Sequence, residues 1–153
     1  MAANAEQAYE KFLAAVGQPE GEGEWFQITQ DQINAFADLT FDQQFIHVDP
    51  EMAAQLSPWG VTIAHGFLTL SMLTHLSGSI PQDMSRFAGI AMGVNYGFDK
   101  IRFINPVKVN ARIRASTTLT PGITSSPSTR IGRFERLRSA TCKTARFSVL
   151  LIF

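Results

Sequence analysis

Asp42 and His47, in the run Asp42-Gln43-Gln44-Phe45-Ile46-His47, and the His65-Gly66 pair eighteen residues further on carry the types and spacing that suit chemistry. A carboxylate and an imidazole held together can activate water, and the N–H groups at a helix start can receive a developing negative charge. Together they point to acid/base chemistry on a carbonyl compound. Five residues of separation cannot put Asp42 and His47 on one face of a helix, nor on one face of a strand. A loop or a helix end must therefore fold them together. The spacing alone also fits a plain turn, with Asp42 solvated and His47 packed or capping.

The elements around them can be read from pattern. Asn4 and Gln7 read as a capping box for an N-terminal helix (1–19) with Tyr9, Phe12, Leu13 and Val16 on one stripe. Gly17 and Pro19 stop it, and residues 20–24 read as a Gly/Glu linker before a short strand from Trp25. Thr29 and Gln32 form a second capping box, stapled by Ile28 and Ile33, and the Asp42–Pro50 loop follows that helix. Ala64 to Leu76 reads as a helix apolar on nearly all sides, hence buried. After residue 89 the period becomes two: Val94, Tyr96 and Phe98 alternate, slip phase before Ile101, and a second strand runs from Val107 to Ser116. Long strands after one buried helix imply an antiparallel sheet wrapped around it, an α+β domain.

Composition excludes several classes. The 153 residues fit one domain, and zero formal net charge asks for neither nucleic acid nor a membrane surface. No apolar run approaches a membrane span, no secretory leader is expected, and the single Cys142 fits a reducing, cytoplasmic setting. His47 and His65 lie too far apart in sequence to argue a zinc site, so no metal is expected. His65 reads as an orienting or helix-start residue, His75 as a partner of the helix C-terminus, and Met72, Met84 and Met92 as core filler.

Several blocks, in order, carry a resemblance: Ile28-Thr29-Gln30 to Asp38, Asp42 to Pro50, Thr62-Ile63-Ala64-His65-Gly66-Phe67-Leu68, Asn95-Tyr96-Gly97 and Lys100-Ile101-Arg102-Phe103. They resemble the MaoC-like dehydratase family, in its single-domain branch of nodulation protein N-like proteins and (R)-specific enoyl-CoA hydratases, over residues 25–118. The resemblance implies a hot-dog fold over residues 20–153 and a homodimer. It also implies an acyl-CoA or acyl-carrier thioester substrate, with no cofactor beyond the CoA that the substrate carries. It maps water activation onto Asp42 and His47, the N–H for the thioester oxygen onto Gly66 beside His65, and a supporting helix hydroxyl onto Thr74. The activity implied is hydration of a trans-2-enoyl thioester. A thioesterase of the same fold, or a non-catalytic acyl-thioester-binding protein, are the alternatives; the absence of Asp or Glu from Gly66 to Leu76 counts against the first.

Two departures stand out. Phe41 occupies a position where the family usually has a small residue, so it needs an ordinary backbone conformation or bears strain. Residues 1–120 hold 7 Lys/Arg and 12 Asp/Glu, whereas 121–153 hold 6 Lys/Arg and only Glu135. The stretch 120–140, with Pro121, Gly122, Pro127 and four arginines, is therefore expected to be irregular or exposed, atypical for the fold. Divergence and a local reading-frame shift in the recorded sequence both fit so abrupt a change, which favours the second.

Overall fold

Thr29 starts the helix that leads into the site. In the computed structural model, which describes residues 2–88, 90–120, 124–126, 129–139 and 145–152, helix α2 spans Gln30–Thr40. The Thr29 hydroxyl accepts from Gln32 N, and the Gln32 side chain accepts from Thr29 N at 2.9 Å, so the capping box is complete. Ile28 and Ile33 on either side of it are fully buried. At the other end Phe41 adopts φ 60°, ψ 22°, the left-handed region, with its side chain 89% exposed. A bulky residue there costs about 1–2 kcal/mol, so Phe41 bears strain. Phe41→Gly is expected to raise stability by about 1 kcal/mol once glycine's greater unfolded-state freedom is deducted, measurable by urea unfolding.

Before this lie α1 (Ala2–Ala15) and the short strands β1 (Pro19–Glu22) and β2 (Phe26–Gln27). Helix α1 starts ahead of Asn4, so Asn4 is not its cap; the side chains of Asn4 and Tyr9 fall outside the described residues. The segment read as a linker is an edge strand, because Gly21 and Glu22 find ladder partners on the long strand that follows. Arg86, from a 3-10 turn at Met84–Phe87, reinforces it with an ion pair to buried Glu20. After α2 come α3 (Phe45–Val48) and α4 (Pro50–Leu56), the latter capped by Asp49, whose carboxylate accepts from Met52 N at 2.9 Å.

The central helix comes as two pieces, α5 (Gly66–Ser71) and α6 (Leu73–Gly78), joined at Met72. Leu68, Thr69, Leu70, Leu73 and Leu76 are buried, while Phe67, Ser71, Thr74 and His75 are exposed. The helix is thus buried on one side rather than all round. Met84 and Met92 are exposed, so only Met72 serves the core as filler.

Strands β3 (Met92–Ile101), β4 (Arg112–Thr120), β5 (Thr124–Ser126), β6 (Thr129–Ser139) and β7 (Ala145–Ile152) complete an antiparallel sheet of order β1-β4-β6-β7-β3. β2 joins it on β4 and β5 on β6. The register of β3 shifts at Asn95/Gly97 and Phe98/Lys100, where the slip in alternation suggested a bulge. The strand expected from Val107 begins only at Arg112, because Asn110 sits at φ 62° and turns the chain. Ile28, Ile33, Leu68, Leu73, Leu76 and Ile113 form the core between helices and sheet.

The expectation for 120–140 is corrected at its described positions. β6 runs eleven residues and pairs with β4 on one side and β7 on the other. A ladder is built from backbone groups that every non-proline residue supplies, so arginines do not forbid it. Pro121, Pro127 and Cys142 lie outside the described residues. Among the described residues no helix is long and apolar enough to cross a membrane.

Candidate active site

The site is built where three loops meet over the start of α5. The segment 62–64 is bonded to the turn before β4 by Ala64 N to Val107 O (2.7 Å) and Val109 N to Thr62 O (2.9 Å). Its other side takes Ile63 N to Ile46 O at 2.9 Å, which brings α3 alongside. Gln30 ties the pieces together: its amide N–H groups donate to His47 O (2.7 Å) and Asn34 Oδ1 (2.8 Å), and its carbonyl accepts from the Thr62 hydroxyl at 2.6 Å. Gln30 lies within one of the blocks that carry the resemblance, but no local signal in the sequence marks it for this role.

On this frame Asp42, His47 and His65 converge, with one ligand-type atom of each within 4.8 Å of the others. His47 is 7% exposed and its Nδ1 lies 2.7 Å from Ile63 O. A carbonyl only accepts, so Nδ1 carries the proton and Nε2 keeps its lone pair. The two imidazoles stack, with centroids 3.8 Å apart and an angle of 25°. Asp42 stands at the rim, its side chain 57% exposed, with Oδ2 3.9 Å from His65 Nε2.

Burial pushes the His47 pKa below the ordinary histidine value, and nearby His65 adds to this; the bond to Ile63 O and the Asp42 charge pull the other way. His47 is therefore neutral at pH 7. The expected result is a His47 titration, read by NMR of its ring protons, with a midpoint below ~6.5, the unperturbed value. A midpoint above that value would show that the Ile63 bond and the Asp42 charge together outweigh burial.

A cavity of about 310 Å³ opens beside His47, which lines it together with Trp59, Ile63, Ala64, Gly66, Thr69 and the Phe103–Val107 segment, whereas Asp42 and His65 do not. Gly66 is the first residue of α5, where N–H groups have no intrahelical partner. The Phe103 ring packs so closely that a Cβ at position 66 would lie 2.7 Å from it. Phe103 is a second participant that the sequence did not single out.

Thr74, on α6 beyond the break at Met72, is exposed and is not among the residues that line the cavity. Thr69 is buried, lines the cavity and donates to Gly66 O at 2.7 Å. His75 packs edge-on against Phe26, and Arg102 and Lys108 are exposed.

The sequence matches the family model described as "MaoC like domain" across residues 11–130. The chain belongs to the MaoC-like family. This MaoC-like chain is 50% identical over 104 residues to "Nodulation protein N" of Rhizobium meliloti (strain 1021), covering 68% of this chain and 63% of that protein. The match therefore spans less than two thirds of that relative. It is 47% identical over 106 residues to "3-hydroxyacyl-thioester dehydratase Z" of Mycobacterium tuberculosis (strain CDC 1551 / Oshkosh), covering 69% and 67%. Among solved structures it is similar to an (R)-hydratase from A. caviae involved in PHA biosynthesis, with TM-score 0.66, 22% identity, and coverage of 90% of this chain and 96% of that one. The fold of the MaoC-like chain is the hot-dog fold.

Proposed function

We propose that this chain adds water to the Cα=Cβ bond of a trans-2-enoyl thioester, and removes it in the reverse direction, as an (R)-specific enoyl-CoA hydratase or 3-hydroxyacyl-thioester dehydratase. The observation that carries the reading is a neutral His47, its Nε2 unprotonated, that lies near the Asp42 carboxylate and itself lines a cavity shared with the Gly66 helix start. The name of the dehydratase relative supports it.

The thioester oxygen sits on the Gly66 N–H, and the acyl group enters the cavity. Water between Asp42 and His47 loses a proton to His47 Nε2 as its oxygen attacks Cβ. Charge moves to the thioester oxygen as an enolate, which the Gly66 donor stabilises. The proton held by the pair then passes to Cα, leaving the 3-hydroxyacyl thioester and restoring His47.

No metal or cofactor beyond the substrate's CoA is part of this reading. Although one ligand-type atom of each of Asp42, His47 and His65 lies within 4.8 Å of the others, His47 Nδ1 and His65 Nε2 are each engaged by a backbone carbonyl and are not free to bind an ion. A homodimer in the cytoplasm also belongs to the proposal. Strand β3 ends the sheet with Met92, Val94 and Phe98 exposed, and such an edge suits a second copy.

Crotonyl-CoA tests the activity. Loss of the enone absorbance without release of free thiol is expected. Thiol release without enone loss would instead make the chain a thioesterase.

A further inference from the structure

His65 is 3% exposed, held between the His47 ring and the Phe36 ring, whose centroid is 5.1 Å away. Its Nε2 lies 3.0 Å from the backbone carbonyl oxygen of Asp42. Because that oxygen only accepts, Nε2 carries a proton and donates it. Among the described residues Nδ1 is buried with no hydrogen-bond partner. A nitrogen so placed does not relay a proton to any neighbouring group. The work left for His65 is done by its ring faces and its one N–H.

That N–H reaches a segment whose other ties flank Asp42: Gln43 donates to Asp38 Oδ1 at 2.7 Å, and Gln44 O accepts from His47 N at 2.9 Å. Residues 42–44 have no regular structure, and they follow Phe41 in its strained left-handed conformation. The Asp42 side chain is largely solvated. His65, by contrast, sits at the start of α5, on the segment bonded to both α3 and the turn before β4. The two imidazoles thus form a stacked pair in which each ring donates one N–H to a backbone carbonyl. His47 is tied to Ile63 O through Nδ1, and His65 is tied to Asp42 O through Nε2.

We propose that His65 is a positioning residue that clamps the Asp42 backbone to the rigid helix start and, by stacking, fixes the plane of His47. The clamp sets the separation between the carboxylate and the His47 Nε2 that share the water. It does not touch substrate. This assignment rests on the hydratase reading for its kinetic consequence, but the clamp itself can be observed without any turnover.

The test compares His65→Leu, which keeps bulk and burial but has no donor, with His65→Gln, whose amide N–H extends as far as the imidazole Nε2. In the first, kcat for crotonyl-CoA is expected to fall at least ~10-fold, the scale of a small misplacement of reacting groups, with KM changed far less. In the second, most of that loss is recovered. The carbonyl carbon-13 NMR shift of Asp42, which reports the bond that its oxygen accepts, is expected to move in His65→Leu and to return towards wild type in His65→Gln. A wild-type shift in the Leu variant, or equal kcat losses in both variants, would overturn the clamp. If the unaltered chain hydrates no enoyl thioester, the hydratase reading fails, and the shift still decides for or against the clamp.

Discussion

Asp42→Asn is expected to lower kcat for enoyl-thioester hydration at least ~10²-fold while leaving the unfolding midpoint almost unchanged. The amide keeps the shape of the carboxylate but lacks the negative charge that offsets the imidazolium formed when His47 takes the water's proton. The carboxylate is largely exposed, so little folding energy rests on it. His47→Ala should lose at least as much activity, but it also strips Ile63 O of its buried partner, at a cost of about 1–3 kcal/mol in stability. The two changes act on one water, so the double variant should be hardly slower than the worse single variant. Full multiplication of the two losses would mean that Asp42 and His47 work at separate steps. Near-wild-type turnover by Asp42→Asn would remove the carboxylate from the mechanism.

The second large effect lies at Gly66 and separates its two contributions. Gly66→Ala keeps the N–H but drives a Cβ against the Phe103 ring, so Phe103 or the helix start must shift. A misplacement of about 1 Å is worth ~10²-fold in kcat. Adding Phe103→Ala should give part of this back by clearing the contact. Gly66→Pro goes further. Proline suits the first helical position, and His65 at φ −55°, ψ 137° already has the extended conformation that a following proline demands. The helix should therefore form without the donor. In the Phe103→Ala background, Gly66→Pro is expected to be slower than Gly66→Ala by a further ~10²–10³-fold, the usual value of one oxyanion donor. Equal rates for the two would show that the thioester oxygen is held elsewhere.

How much of this was legible before folding depended on whether the signal was local. The Thr29–Gln32 box, the buried Ile28 and Ile33, and the phase slip in β3 follow from chemistry within a few residues, and all are present. Asp42, His47 and His65-Gly66 could be picked out by residue type and by family resemblance. That His65 lies on His47 could not, because it depends on the pairing of 62–64 with 107–109. Gln30 was silent for the same reason: its partners Thr62 and His47 lie thirty-two and seventeen residues away. Thr74 came from a spacing in the resemblance, and a spacing does not say which way a side chain faces; here it is exposed and away from the cavity lining. Strand β1 was hidden because an edge strand of Gly and Glu carries no alternation. For 129–139, composition was read as irregularity, yet pairing on both sides needs only backbone groups.

The central claim is that one Asp/His pair delivers water to one face of an enoyl thioester held at Gly66. Chiral analysis of the 3-hydroxybutyryl-CoA formed from crotonyl-CoA tests it most directly. The account predicts the (R) product alone. The (S) product, a racemate, or unchanged crotonyl-CoA would contradict it.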